Sequence, residues 1–432
     1  MTTTAPARQY APERITPVPQ INGFTEPGFE AVRAAFEENF RSRGETSASV
    51  CVYKDGRPVV DLWGGSWQED SVGLVFSATK GLTAVAALML VQSGQLEVDA
   101  PVAQYWPEFA AAGKQAVTVR QLLCHQAGLV GFSRVMMMKD MRAWDPLIED
   151  LGAQAPGWEP GSGFGYHALT FGWLVGEVIR RITGLKPGEY LRKHVCEPND
   201  LDIWIGLPPE QRHKFAPIEQ NFDRTEEEDH GYSELIPELF KFLPASAQTP
   251  GGQRLAQKLA KSPLRRMQEL GTVSQLKKNG ERYSDTQRAF LTFFGTLDDL
   301  NTPGGQNFEM PAGNGICSAR SMAKFYALVT GQTGAAPLLS PGLIDQARTQ
   351  QARGIDRVLL SERAWGLGFM LPEQTHVGVW APTAFGHYGN GGGTGMTDPE
   401  NGFSFGYVAK RITPMSNPRR PSALIKAVYE SI

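Results

Sequence analysis

The segment Gly81-Leu-Thr-Ala-Val-Ala-Ala-Leu-Met-Leu-Val91 limits the possible folds more than any other stretch of the chain. It carries no charge and no polar stripe, and Gly94 ends it. A helix that is apolar nearly all round has no face to turn to water, so other elements must enclose it. It is also far too short to span a bilayer, which takes about 20 apolar residues. A chain of 432 residues, 41% hydrophobic and 20% charged, can supply that enclosure from its own core without disulfides or metals.

The pattern around this helix changes along the chain. Residues 1–22 hold four prolines and little periodicity, which predicts an extended N-terminal arm. Phe29, Val32, Phe36 and Phe40 then recur at three- and four-residue steps, with Gly44 as a stop, and predict a helix. Ser49–Tyr53 and Val59–Trp63 flank Asp55-Gly56 as the arms of a hairpin. A short apolar run, Val72–Phe76, leads into Ser77-Ala-Thr-Lys80. Helical patches follow at Val117–Cys124 and Thr170–Ile182. Residues 208–310 are more polar and proline-marked, as surface helices and loops would be. Ser318–Val329 reads as a helix, Trp365–Leu371, Gly393–Thr397 and Phe403–Ala409 as strands, and residues 421–431 as a last amphipathic helix.

That order predicts an α/β layer built from both chain ends, an α+β fold in which an antiparallel sheet is flanked by terminal helices and a mostly helical domain is inserted. The expected boundaries are an arm at 1–22, a discontinuous α/β domain of 23–110 and 312–432, and a helical domain at 111–311 that includes a cap over the substrate pocket. No βαβ series occurs, which argues against a Rossmann or α/β-hydrolase sheet.

Lys and Arg total 42 against 45 Asp and Glu, a formal net charge of −3. Neither nucleic acid nor an anionic membrane surface is an expected partner of so balanced a chain. Cys51, Cys124, Cys196 and Cys317 lie far apart and form no CxxC, so neither a zinc site nor a disulfide framework is expected. The acidic run Glu226–His230 has no second cluster to complete a ligand set, and HExxH and GxSxG are absent. No metal or cofactor is expected. Met1-Thr-Thr-Thr-Ala-Pro lacks the basic and apolar regions of a signal peptide, which leads to a cytoplasmic expectation.

Three features carry chemistry. In Ser77-x-x-Lys80 a hydroxyl and an amine one helical turn apart can share a proton. The pattern is short, and Ser274–Lys277 and Ser321–Lys324 repeat it. Ser274 lies in a polar stretch, however, and Ser321 sits inside an ordinary amphipathic helix for which Ser318 is the better cap. Ser77 instead follows a strand-like run and opens the buried helix, where a helix N-terminus stabilises negative charge; an N-cap serine is the bland alternative. The second feature is the glycine-rich turn Pro156–Ala168, which delivers Tyr166. A tyrosine beside an ammonium has a lowered pKa and can shuttle a proton, although a packing role fits the spacing as well. His167 reads as a surface or core histidine. The third is Phe385–Gly393, with five glycines in nine residues, which lets backbone approach a ligand closely. GxGxxG and GxxxxGK[ST] are both missing, so it is no phosphate loop.

Taken in order, these features resemble the serine β-lactamase superfamily, and within it the family VIII carboxylesterases. The SxxK signature is part of that superfamily's catalytic set. Flanking stretches agree: Gly94–Pro101, Thr118–Leu129, Pro311–Gly315 with Ser318-Ala-Arg320, Trp365–Phe369, and Phe385 to Asp398-Pro-Glu400. The likeness runs over residues 27–430. It implies a β-lactamase/DD-peptidase-like fold, Ser77 as nucleophile, Lys80 as its proton partner, and Tyr166 in place of the tyrosine of the Tyr-x-Asn motif. His387-Tyr388-Gly389 matches the Lys-Thr-Gly motif, which makes His387 and Gly389 substrate-binding candidates. The implied oxyanion hole is formed by the N–H groups of Ser77 and Asn390.

Two departures matter. Ala168 stands where lactamases have an asparagine, and His387 replaces the lysine that holds a β-lactam carboxylate. Both point to a small-molecule ester as substrate, cleaved through an acyl-Ser77 intermediate. In that reading Tyr166, made acidic by Lys80, takes the serine proton, with Lys80 itself as the other possible immediate base. An amide hydrolase or acyltransferase of the same superfamily, or a scaffold without turnover, are the alternatives.

Overall fold

The computed structural model describes residues 16–134, 136–219, 297–372, 379–412 and 419–432, with isolated positions between 285 and 294. Besides a short pair, Met136–Met137 with Phe293–Phe294, its strands among the described residues are β1 (Ile21–Thr25), β2 (Ala48–Lys54), β3 (Arg57–Gly64), β4 (Gly73–Leu74), β5 (Ile203–Ile205), β6 (Gly315–Cys317), β7 (Ala352–Ile355), β8 (Glu362–Trp365), β9 (Phe385–Tyr388), β10 (Thr394–Asp398) and β11 (Phe403–Ala409). Its longer helices include α1 (Glu30–Ser42), α2 (Thr79–Gln92), α3 (Thr170–Thr183), α4 (Ala319–Val329) and α5 (Arg419–Glu430).

Six strands form one antiparallel sheet in the order β1-β3-β2-β11-β10-β9. The two ends of the chain meet at its centre, where β11 pairs with β2 from Phe403 opposite Lys54 to Ala409 opposite Ala48. Side chains alternate across a strand, and successive residues of β2 accordingly enter two different cores. Val50 and Val52 join Val32, Phe36 and Phe40 of α1 and Leu424, Ile425 and Val428 of α5. Cys51 and Tyr53 join Met322, Phe325 and Tyr326 of α4. Gly406 is required here, because a Cβ on it would lie 2.2 Å from Ala319 O and 2.7 Å from Ala323 N.

The helix α2 is enclosed as its composition demands, with Thr79 to Leu88 and Leu90 all buried. It is suspended from a second, small sheet, β4-β6-β5. Val75 N–H donates to Gly315 O at 2.9 Å, so the turn that holds Ser77 hangs directly from β6.

Two expectations need correction. The N-terminal arm ends earlier than residue 22, since Ile21 and Asn22 already pair with Gly64 and Trp63 as the edge strand β1. Ile-Asn-Gly-Phe-Thr shows no alternation, because an edge strand that is partly exposed on both faces has none to show. The strand expected at Trp365–Leu371 stops at Trp365. Beyond it Gly368 takes φ +81° and donates to Leu123 O, which turns the chain back toward Phe369 and the core. Residues 220–284, which belong to the stretch expected to cap the substrate pocket, lie outside the described residues, Glu226–His230 and Ser274–Lys277 among them. Among the described residues no helix is long and apolar enough to cross a membrane.

Candidate active site

Ser77 lies in a single 3-10 turn, Phe76–Ala78, that runs straight into α2. It is partly exposed while Phe76, Ala78, Thr79 and Lys80 around it are buried. Phe76 takes φ +47°, a left-handed conformation that costs a bulky residue about 1–2 kcal/mol. Two contacts hold the turn in place: Thr79 Oγ1 donates to Phe76 O and accepts Gly315 N–H at 2.8 Å.

Lys80 sits one turn further on with no exposed surface. Its Nζ lies 2.7 Å from Ala168 O, 2.9 Å from Ala312 O and 3.2 Å from Ser77 Oγ. Burial pushes its pKa well below the usual lysine value, since no carboxylate compensates the charge. As an ammonium, Nζ donates to all three oxygens; as a neutral amine it has two N–H groups for the two carbonyls, and its lone pair faces the serine hydroxyl. Ala312 lies in the Pro311–Gly315 stretch, which also receives Thr83 Oγ1 on Pro311 O at 2.6 Å and so clamps the first turns of α2.

Tyr166 reaches the same place from the glycine-rich turn. Its ring stacks on Trp365, with centroids 5.4 Å apart and planes 10° apart, and Lys80 Nζ lies 4.7 Å from its centroid. Tyr166 is fully buried, and desolvation drives its pKa upward, against the acidification expected from the sequence; the Ser77 hydroxyl and Arg363 oppose the rise in part. The same burial lowers the pKa of the neighbouring Lys80.

The glycine-rich segment Phe385–Gly393 forms β9 and the turn after it. Gly389 lies against the nucleophile turn so closely that a Cβ would be 2.1 Å from Val75 O and 3.0 Å from Ser77 N. Only glycine fits there. Gly389 N–H closes on Gly393 O at 2.7 Å, whereas among the described residues neither Ser77 N–H nor Asn390 N–H is bonded to a backbone acceptor. His387 is fully buried, and desolvation holds its imidazole neutral. Its Nδ1 is tied to Tyr388 O at 2.7 Å, which leaves Nε2 as a buried acceptor without a partner. Trp365 Nε1 and Asn390 Nδ2 also have none, and Tyr166 Oη has only the Ser77 hydroxyl beside it. Buried polar groups are nearly always paired, so this concentration of unpaired ones marks a site built to bind something polar.

His167 is a core histidine. Its Nδ1 meets Gly165 O at 2.7 Å and its Nε2 accepts Leu129 N–H at 3.1 Å, which fixes a neutral tautomer. Burial lowers its pKa to about 4. His125 lies beside it, accepts His167 N–H on Nδ1 at 3.1 Å, and is likewise held neutral by burial. In the unfolded chain these rings take up a proton near pH 6.5, which the folded protein refuses. Stability is therefore complete above that pH and is lost as pH falls from about 6.5 toward 4. For His167 alone the loss amounts to about 3 kcal/mol. Urea unfolding at pH 7 and pH 4.5 checks this: His167→Gln is expected to show a smaller difference between the two than the wild type.

Sequence reasoning located Ser77, Lys80, Tyr166, His387, Gly389 and Asn390, and the structure brings all six to one place. It missed the carbonyls of Ala168 and Ala312, because a backbone acceptor leaves no mark in the residue type. It also missed His125 and Asp356, whose side chains meet the Tyr166 segment from distant parts of the chain.

A family model described as Beta-lactamase matches residues 32–429. The chain is 33% identical over 407 residues to "Esterase/beta-lactamase LipL" of Mycobacterium tuberculosis (strain ATCC 25618 / H37Rv), covering 91% of this chain and 83% of that one. The crystal structure of a family VIII carboxylesterase superposes with a TM-score of 0.76 at 30% identity, covering 96% of this chain and all of the other. A penicillin-binding protein homolog from Caulobacter crescentus superposes with a TM-score of 0.71 at 32% identity and the same coverage. With a clamped Ser-x-x-Lys pair at the head of a buried helix and a family match over nearly its whole length, this chain belongs to the beta-lactamase family.

Proposed function

We propose that the protein is a serine carboxylesterase that hydrolyses small carboxylic esters through an acyl-Ser77 intermediate. The observation that carries this reading is the buried Lys80 amine, held by two carbonyls 3.2 Å from Ser77 Oγ, where burial lowers its pKa and favours the neutral form. Such an amine takes the Ser77 proton as Oγ attacks the ester carbonyl, and the serine becomes acylated. The N–H groups of Ser77 and Asn390 receive the oxyanion. When the bond to the alcohol breaks, the leaving oxygen takes a proton from Tyr166, and the Lys80 ammonium returns one to the phenolate. Water then attacks the acyl-enzyme by the same proton route and releases the acid.

The resemblance of this chain to an esterase and to a family VIII carboxylesterase supports esters as the substrate class. So does the site itself. Neither Lys80 nor His387 carries a charge to hold a substrate carboxylate, and Ala168 has no amide to offer a β-lactam side chain. The likeness to a penicillin-binding protein homolog keeps a β-lactam as the second candidate. Purified protein without added metal or cofactor is expected to turn over p-nitrophenyl butyrate and to gain one butyryl mass on Ser77 under rapid quench. Nitrocefin turnover faster than ester turnover would reverse the assignment.

A further inference from the structure

Asp356 lies in the turn between β7 and β8, far from Tyr166 in the sequence, and is fully buried. One of its oxygens, Oδ1, accepts three backbone N–H groups: Val358 at 2.8 Å, Leu359 at 2.9 Å and Tyr166 at 3.0 Å. The first two close its own turn. The third reaches across to the proposed site. Its other oxygen, Oδ2, is buried without a hydrogen-bond partner. Burial raises the Asp356 pKa, while the three N–H groups and the Arg363 charge oppose the rise.

The groups around the Tyr166 phenol come from several elements. Lys80 faces it from α2, His125 from the turn before residue 129, His387 and Tyr388 from β9, Arg363 from β8, and Asp356 from below its own backbone. Burial holds Lys80, His125 and His387 neutral. Desolvation is the main force keeping Tyr166 protonated; Tyr388 and Asp356 add to it, while Ser77 and Arg363 oppose it.

We propose that Asp356 is the positioning residue of Tyr166: Oδ1 pins the tyrosine's backbone N–H and so fixes where the phenol stands as the proton donor to the leaving alcohol. This rests on the ester-hydrolase reading above. Asp356 itself touches no reacting atom. Its effect passes through Tyr166 and must therefore depend on how much the leaving group needs a proton.

Ethyl butyrate and p-nitrophenyl butyrate separate these cases, because ethoxide must be protonated to leave and nitrophenolate need not be. Asp356→Ala, which removes the acceptor, and Asp356→Asn, whose amide oxygen can still accept the three N–H groups, are compared with wild type after thermal melts establish folding. For Asp356→Ala the expected result is a kcat loss of about 10-fold or more on ethyl butyrate, a much smaller loss on the nitrophenyl ester, and little change in KM, with Asp356→Asn close to wild type on both. In a Tyr166→Phe background Asp356→Ala is expected to add nothing. Equal losses on both esters, or losses that multiply with Tyr166→Phe, overturn the inference while leaving the hydrolase reading intact. A wild-type protein inert toward both esters overturns the hydrolase reading, and this inference with it.

Discussion

Ser77→Ala is expected to lower kcat for p-nitrophenyl butyrate by about 10⁴-fold or more, with KM changed far less. Ser77 is the partly exposed residue of a turn whose other members are buried, so its hydroxyl is the group of that turn a substrate can reach. Alanine leaves the turn itself intact, because Thr79, Gly315 and Phe76 hold it through bonds that do not involve the serine side chain. The variant is therefore expected to melt within a few degrees of the wild type and to form no acyl adduct. Residual catalysis would come from the oxyanion N–H groups and from binding alone. Equal turnover in both proteins would show that the nucleophile lies elsewhere.

Lys80→Ala is expected to cost about 10³-fold in kcat, within the range that a positioned general base supplies. The more searching variant is Lys80→Arg. A guanidinium keeps the positive charge and several donors but has no lone pair to receive the serine proton. It is expected to be as inactive as alanine, and an active Lys80→Arg protein would sink the assignment of Lys80 as base. The pH dependence follows from the same burial. The lysine pKa lies well below its ordinary 10.5, so the free amine persists to lower pH than in an exposed lysine, and the rate falls as acidification through the lowered value protonates it. Stability runs with the opposite sign to activity. Between the lowered value and 10.5 the unfolded chain holds a proton on Lys80 that the folded chain gives up, so burying the amine is a cost, and it shrinks as pH rises toward 10.5. Lys80→Met, which fills the same space without a titratable group, is expected to be inactive yet no less stable at pH 7. Paired kcat and thermal-melt measurements on the three variants check both statements.

The sequence alone determined the buried helix α2, the hairpin β2–β3, the two terminal helices and the C-terminal strands. Each of these carries its information locally, as a 3.6-residue or two-residue period or as a turn dipeptide. It also picked out Ser77 from the two other serines with a lysine three residues on. For Ser321 the outcome is explicit: Ser318 Oγ caps α4 by accepting Ser321 N–H, and Lys324 is spent on Asn199 O. The edge strand β1 and the turn after Trp365 escaped notice because partial exposure and paired glycines erase periodicity.

What only the tertiary structure decided is the environment that sets the proton affinities of the site. From sequence, a tyrosine near a lysine suggests an ammonium and an acidified phenol. Folding shifts both pKa values against that expectation, because it removes Lys80 and Tyr166 from water together and supplies carbonyls in place of a counter-charge. The carbonyls belong to Ala168 and Ala312, and the carboxylate that holds Tyr166 belongs to Asp356; nothing in those residue types announces the role. Periodicity records which side chains are buried. Desolvation and backbone hydrogen bonding depend on which distant segments meet, and only the folded chain fixes that.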